Sequence, residues 1–310
     1  DGYVGKPPEL GTGVFAMDLG TESGSPKFIS NFPVDFATIK LTNGSDNWYT
    51  SARLIQAKGL YTNTNGSEYA DSTAKFDFSN GYYTGTLSNS AYMGWMWKRH
   101  AGFDVVTYKG DGVAGHQIPH SLNKTVEMMW IKNREITDDW VVYHKGLDGG
   151  GSEAKARYLK LNATGGQFTD SSGVMWNSTF PTATHFSLGT HDRVNKNDDD
   201  HIAMLFASVD KISKVGYYTG NGSNTGPSIS VGFQPRFILI KSIGSGPWRI
   251  LDTLRDTLGS GTDKELSLNT NAAQADHTDW LDITSTGFDI KTSDGEANAS
   301  GTVYIYYAHA

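Results

Sequence analysis

The sequence predicts an all-β protein built from three tandem antiparallel repeats of about 100 residues. Three observations carry that expectation. Helical periodicity is almost absent, and "SEAKARYLKL" is the one stretch with some helical look. Short segments such as "FATIKL", "TVEMMWIK", "DWVVYH", "RYLKLN", "RFILIK" and "TVYIYYA" are rich in β-branched and aromatic residues and bounded by Gly, Asn, Asp and Ser. The chain also resembles itself at a regular interval.

The third copy runs Phe233, Pro235, Phe237, Ile240, Lys241, with Trp248 seven residues after the lysine. The first runs Phe32, Pro33, Phe36, Ile39, Lys40, with Trp48 eight residues on. The second runs Leu122, Val126, Trp130, Ile131, Lys132, and Trp140 again follows by eight. Downstream, "LYTN", "LKLN" and "LSLN" match as strand ends finishing on Asn63, Asn162 and Asn269, followed by Phe78, Phe186 and Phe288. Each copy closes on an apolar strand: "YMGWMW", "IAMLFA" and "YIYYAH". The boundaries fall at 1–104 for the most divergent copy with its N-terminal segment, then 105–214 and 215–310. Two arrangements satisfy this pattern: three successive sandwiches, or copies closed around a pseudo-three-fold axis with strands exchanged at 105–112 and 215–222. Strand-like linkers without a Pro/Ser-rich spacer favour the closed form.

Between copies the chain reads Tyr108, Gly110, Gly112 and then Tyr218, Gly220, Gly222, a Gly-x-Gly pattern that invites comparison with phosphate loops. No helical pattern and no Gly-Lys-Ser/Thr follows either stretch, so these glycines are expected to turn the chain between antiparallel strands.

The cadence "GF-x-P-x-F-x-x-IK…W…D…R", then "LSLN", then "TGFDIKTSDGEANASGTVYIYYAHA", resembles a repeat found in structural proteins of tailed bacteriophages. It looks most like tail-fibre or related virion proteins of marine and cyanobacterial phages, where such repeats often follow a laminin-G-like lectin domain. The resemblance covers nearly all of 105–310 and, more loosely, 13–103. It implies a virion or extracellular location, contact with host-surface glycan and with other virion proteins, and no catalytic residues. A single chain with three-fold internal symmetry could also seat on a trimeric fibre or form a homo-oligomer.

Composition narrows the alternatives. The chain has 310 residues, no Cys and a net charge of −7. No disulfide framework or thiolate metal site is available. The acidic balance, without a Lys/Arg cluster, argues against nucleic acid and against anionic membrane surfaces. No run approaches the ~20 apolar residues of a membrane span. The chain starts at Asp1 rather than Met, which reads as a piece of a longer or processed chain.

Candidate chemistry is sparse. Trp48, Trp140 and Trp248 recur after each Ile-Lys strand; exposed, they would stack on sugar rings, and buried, they would fill one core slot three times. Asp198 and Asp200, in "RVNKNDDDHIAMLF", form an oxygen-rich loop that could take Ca²⁺, although EF-hand spacing is missing and the loop aligns with a hairpin turn of the third copy. His116 and His120 are four apart, but Pro119 and strand-like surroundings remove the helical meaning of that spacing for zinc. No cofactor is expected. There is no Gly-x-Ser-x-Gly elbow, and no carboxylate pair stands out from the turn residues. The sequence therefore reads as a non-enzymatic glycan-contacting virion module, with a purely structural or filament subunit second and a polysaccharide depolymerase third.

Overall fold

A computed structural model of the chain describes residues 9–85, 91–256, 258–259 and 261–310. Asp1, and the expectation attached to it, lies outside them. The fold is all-β, as the short apolar runs predict. Three six-stranded antiparallel sheets dominate it. The stretch with a helical look is a short 3-10 segment, Ser152–Ala156, leading into the strand Arg157–Lys160.

All three sheets share one strand order. In the third, Ser213–Thr219 lies at the edge beside the closing strand Val303–His309, followed by Phe237–Ser242, Arg249–Asp252, Thr262–Ser267 and Ala275–Thr278. The first sheet draws its strands from 15–70 and Tyr92–Trp97, the second from 103–169 and Asp200–Phe206. In each copy the closing strand thus returns between the first strand and the one carrying Ile-Lys.

The Ile-Lys strands show why such apolar runs form the middle of a sheet. Along Phe36–Leu41, Phe36 faces a core shared by the whole molecule while Ala37 and Ile39 face a core of the first copy alone. Met128 and Trp130, against Met129 and Ile131, divide in the same way, as do Phe237 and Leu239 against Ile238 and Ile240. A strand covered on both faces needs apolar residues at both parities. The outer layer of each copy is a small sheet: Phe28–Ile29 with Gly81–Tyr82, His116–Pro119 with His185–Leu188, and Ser228–Ser230 with Gly287–Ile290 and Leu281–Thr284. Register makes Tyr82 the counterpart of Phe186 and Phe288, through the pairs Phe28–Tyr82, Ile118–Phe186 and Ile229–Phe288. The sequence alignment had put Phe78 there; the first copy's weaker similarity misplaced it by four residues.

The expectation of exchanged strands is not met. Phe103–Lys109 and Ser213–Thr219 pair within their own copies, and the three sheets stay open instead of closing on one another. The copies meet through side chains and isolated backbone bonds. Phe15, Phe36 and Trp97 of the first, Phe103, Trp130 and Phe206 of the second, and Phe237 and Tyr307 of the third belong to one buried cluster. The backbone N–H of Glu68 donates to the Arg134 carbonyl at 2.7 Å, that of Gln167 to Ile243 at 2.7 Å, and that of Gln274 to Thr42 at 2.8 Å. First copy to second, second to third, third to first: the contacts run in a cycle.

Since the largest cluster is walled by all three copies, removing one should expose it to water. A chain lacking residues 9–98 is expected to show no cooperative thermal transition by circular dichroism and calorimetry. A sharp transition with an enthalpy near 0.7 kcal/mol per remaining residue, the roughly constant value for globular proteins, would show that the copies fold as independent beads.

Candidate functional site

The three recurring tryptophans are at 0%, 0% and 1% exposure. Sugar stacking needs an open ring face, and Trp48, Trp140 and Trp248 have none. Their polar edges instead join the copies. The Trp48 indole N–H donates to the Ser267 carbonyl at 2.9 Å, Trp140 to Tyr61 at 3.0 Å, and Trp248 to Lys160 at 2.9 Å. Each acceptor is the residue after the Leu of "LYTN", "LKLN" or "LSLN" in the neighbouring copy. The Asn of those signatures holds the tryptophan of its own copy: Asn63, Asn162 and Asn269 accept from the backbone N–H of Trp48, Trp140 and Trp248 at 2.9, 3.0 and 2.8 Å.

The recurring lysines belong to the same device. Lys40, Lys132 and Lys241 are wholly buried, and each ammonium donates to carbonyls of the loop leading to its tryptophan. Lys40 reaches Leu41, Gly44 and, in the third copy, Asn271. Lys132 reaches Asn133 and Ile136, and Lys241 reaches Ser242 and Gly244. Burial pushes all three below the usual lysine range. Lys40 and Lys132 come down to about 8, with Asp46 opposing the fall in one case and Asp138 and Asp139 in the other. Lys241, shifted by burial alone, comes down to about 7.

The Gly-x-Gly stretches are turns. Gly112 and Gly222 have φ of +68° and +71°. A Cβ on Gly110 would lie 2.1 Å from the Lys196 carbonyl oxygen, and one on Gly220 2.4 Å from that of Ala299. Buried Asn195 and Asn298 brace the loops, accepting from the backbone N–H of Asp111 and Asn221. His116 lies in the strand His116–Pro119 and hydrogen-bonds Asn195.

The aspartate loop separates its carboxylates instead of gathering them. Asp198 accepts from Asn197, and its carbonyl takes the Lys109 ammonium. Asp199 accepts from Asn133 and pairs with Lys196, while Asp200 lies 3.6 Å from Arg134 and 3.8 Å from Lys109. Among the described residues no group of three or more His, Asp or Glu side chains is placed to hold a metal ion. Neighbouring cations and amides engage Asp198, Asp199 and Asp200 separately.

What remains is the surface. A groove of about 420 Å³ opens in the outer layer of the first copy, walled by Lys27, Lys75, Phe78 and Tyr83 and rimmed by Glu22, Ser23 and Ser25. Continuing the Phe28–Tyr82 register sets Lys27 opposite Tyr83, and Lys75 bridges Tyr83 on the other side. The resulting row is Lys, Tyr, Lys, side by side across three segments. The two ammonium groups lie 5.5 and 5.7 Å from the Tyr83 ring centre, and Phe78 stands 6.4 Å from it, tilted by 36°. Positions corresponding to Lys27 and Tyr83 are Gln117 and Ser187 in the second copy, and Ser228 and Asp289 in the third. A second groove, of about 390 Å³, runs between Leu54 and Arg99 and the edge strand Phe103–Lys109; its cations are already committed, Arg99 to Asp104 and Lys109 to the Asp198 carbonyl.

A family model described as a domain of unknown function (DUF7483) matches residues 19–310. The chain belongs to that family. No curated protein and no solved structure matches it. The match takes in strands of all three sheets, so the DUF7483 unit comprises all three copies and not one repeat. No helix among the described residues is long and apolar enough to cross a membrane.

Two outcomes test this account of the recurring residues. Replacing Asn162 by Ala orphans the buried Trp140 backbone N–H and should cost about 1–3 kcal/mol in urea denaturation, with Asn63→Ala and Asn269→Ala close to it. Lys241 gives a pH signature. Its folded value is depressed, so between about 7 and the unfolded lysine value the unfolded chain binds more protons and stability rises with pH. Against Lys241→Met, the wild-type chain should gain stability from pH 7 to pH 9.5, at up to about 1.4 kcal/mol per pH unit. Parallel curves for the two proteins would show that Lys241 keeps its ordinary affinity for protons.

Proposed function

We propose that the chain is a non-enzymatic virion module of the tail-fibre or tip type that contacts host-surface glycan through the outer groove of its first copy. The observation carrying this reading is the groove wall of Lys27, Tyr83, Lys75 and Phe78, which departs from a scaffold otherwise repeated three times. Packing explains residues that recur in every copy; it does not explain Lys27 and Tyr83, whose counterparts are Gln117 and Ser187 in the second copy and Ser228 and Asp289 in the third. Aromatic faces with hydroxyls and charged groups at the rim are the means by which proteins hold sugar rings. The resemblance to phage fibre repeats supports the same reading. Single sites of this depth bind weakly, and many copies on one particle would supply avidity.

A second reading, a structural or filament-forming subunit without ligand, draws support from the burial of the recurring lysines and tryptophans. The two separate on a glycan array probed with the chain multimerised on streptavidin. Saturable binding is expected, lost in Tyr83→Ala and Phe78→Ala with less than about 1 kcal/mol change in stability. Binding that survives both substitutions would place the contact elsewhere, and silence from folded protein that self-associates into ordered polymers would favour the structural subunit.

A further inference from the structure

We infer that the contacts between copies are acid-sensitive: His100, His144 and His309 latch them while neutral, and a second proton on these rings opens them. All three are buried, at 3%, 0% and 0% exposure. Each also lies at a contact between copies. His144 of the second copy donates from Nε2 to the Tyr306 carbonyl of the third at 3.3 Å. The His309 ring of the third copy packs 4.7 Å from that of Phe15 in the first, and the His100 ring of the first lies 6.3 Å from His309. Register sets His144 level with Ala52 and Asp252 of the other copies, and His309 level with Trp97 and Phe206, so the repeat requires histidine at neither place.

Each ring is fixed as one neutral tautomer by backbone groups that cannot reverse their roles. The Gly102 N–H donates to Nδ1 of His100 at 3.0 Å and the Gly146 N–H to Nδ1 of His144 at 2.9 Å, so both rings carry their single proton on Nε2. Nδ1 of His309 faces the Ala310 carbonyl at 3.0 Å and must donate to it, which leaves Nε2 bare. A second proton would set an N–H of His100 or His144 against the amide N–H of Gly102 or Gly146. On His309 it would fall on a buried Nε2 that has no hydrogen-bond partner among the described residues. The charges facing the rings are cationic: Lys98 toward His100, Lys145 toward His144, and Arg236 and a protonated His100 toward His309. On the adjoining stretches Asp35, Asp104 and Glu127 are held by Arg53, Arg99 and Lys145. Burial above all, then these cations, pushes His100 and His144 down to about 3 and His309 well below the usual histidine range; the Tyr306 and Ala310 carbonyls oppose the fall at His144 and His309.

Below about pH 6.5, the ordinary histidine value, the unfolded chain takes up protons that the folded chain refuses, so stability is lost as pH falls. Each ring should lower the folded-to-unfolded ratio about tenfold per pH unit, and the three together about a thousandfold. The test is urea denaturation of the whole chain between about pH 7.5 and about pH 4.5, followed by tryptophan fluorescence, which reports on Trp95, Trp97 and Trp130 of the shared cluster. Asparagine keeps the Nδ1 contact, through its amide oxygen at 100 and 144 and its amide nitrogen at 309, and does not titrate. His100→Asn, His144→Asn and His309→Asn should each flatten the pH dependence by about tenfold per unit, whatever each does to stability at neutral pH. Where a variant does not fold, the assigned imidazole resonances of the wild-type chain decide: rings that stay neutral down to the pH at which the chain opens support the latch. A pH dependence unchanged in the folded variants, or any of the three rings titrating near pH 6.5 while the chain remains folded, overturns it.

Discussion

Everything in this molecule hangs on where an indole N–H goes when a tryptophan is buried between two sheets. The ring fills apolar space worth several kcal/mol, but leaving its one donor without an acceptor in a region without water costs free energy. Here the acceptor is a carbonyl at the end of a strand in the next copy, three times over. Any one such bond contributes about 1 kcal/mol net. Its larger effect is geometric, because a copy that slid along its neighbour would leave the donor orphaned. The buried lysines and signature asparagines hold the loop that delivers each tryptophan, so the three kinds of recurring residue form one joint.

Much of this was legible in the linear chain. The interval, the strand-forming segments and the recurring Lys, Trp and Asn all correspond to observed elements. Whether the tryptophans were buried was not legible, since a ring at the same position in three copies reads identically in a core and at a surface. The shared cluster decides it, and that cluster is assembled from Phe15 to Tyr307, far beyond any local pattern. The strand exchange expected at 105–112 and 215–222 failed for a related reason. Strand-like linkers are equally what an edge strand looks like when it pairs with the closing strand of its own copy. In the aspartate run the sequence shows the carboxylates but not the lysine, arginine and asparagine that fold back on them.

The groove was missed altogether. Lys27, Lys75 and Tyr83 come from three separated segments, and nothing in their spacing announces that they will lie in one row. The misplaced Phe78 was the available signal. The sequence reading set it beside Phe186 and Phe288, whereas it lines a surface groove beside Tyr83. In a repeated scaffold the shared positions carry stability, and the departures are where binding can be added without disturbing the joint.

The cyclic order also bears on the covalent connectivity of the chain. Gly11 lies against Ala310, near enough that a Cβ on the glycine would fall 2.7 Å from the Ala310 carbonyl oxygen. Val14 shares a small buried cluster with Ala101, Val209 and Ile212, which belong to the two stretches where the backbone passes from copy to copy. A third join, between the first and third copies, is made here by packing. The three joins therefore converge on one small buried cluster, and in close-packed apolar space a change at any of them is felt at the other two.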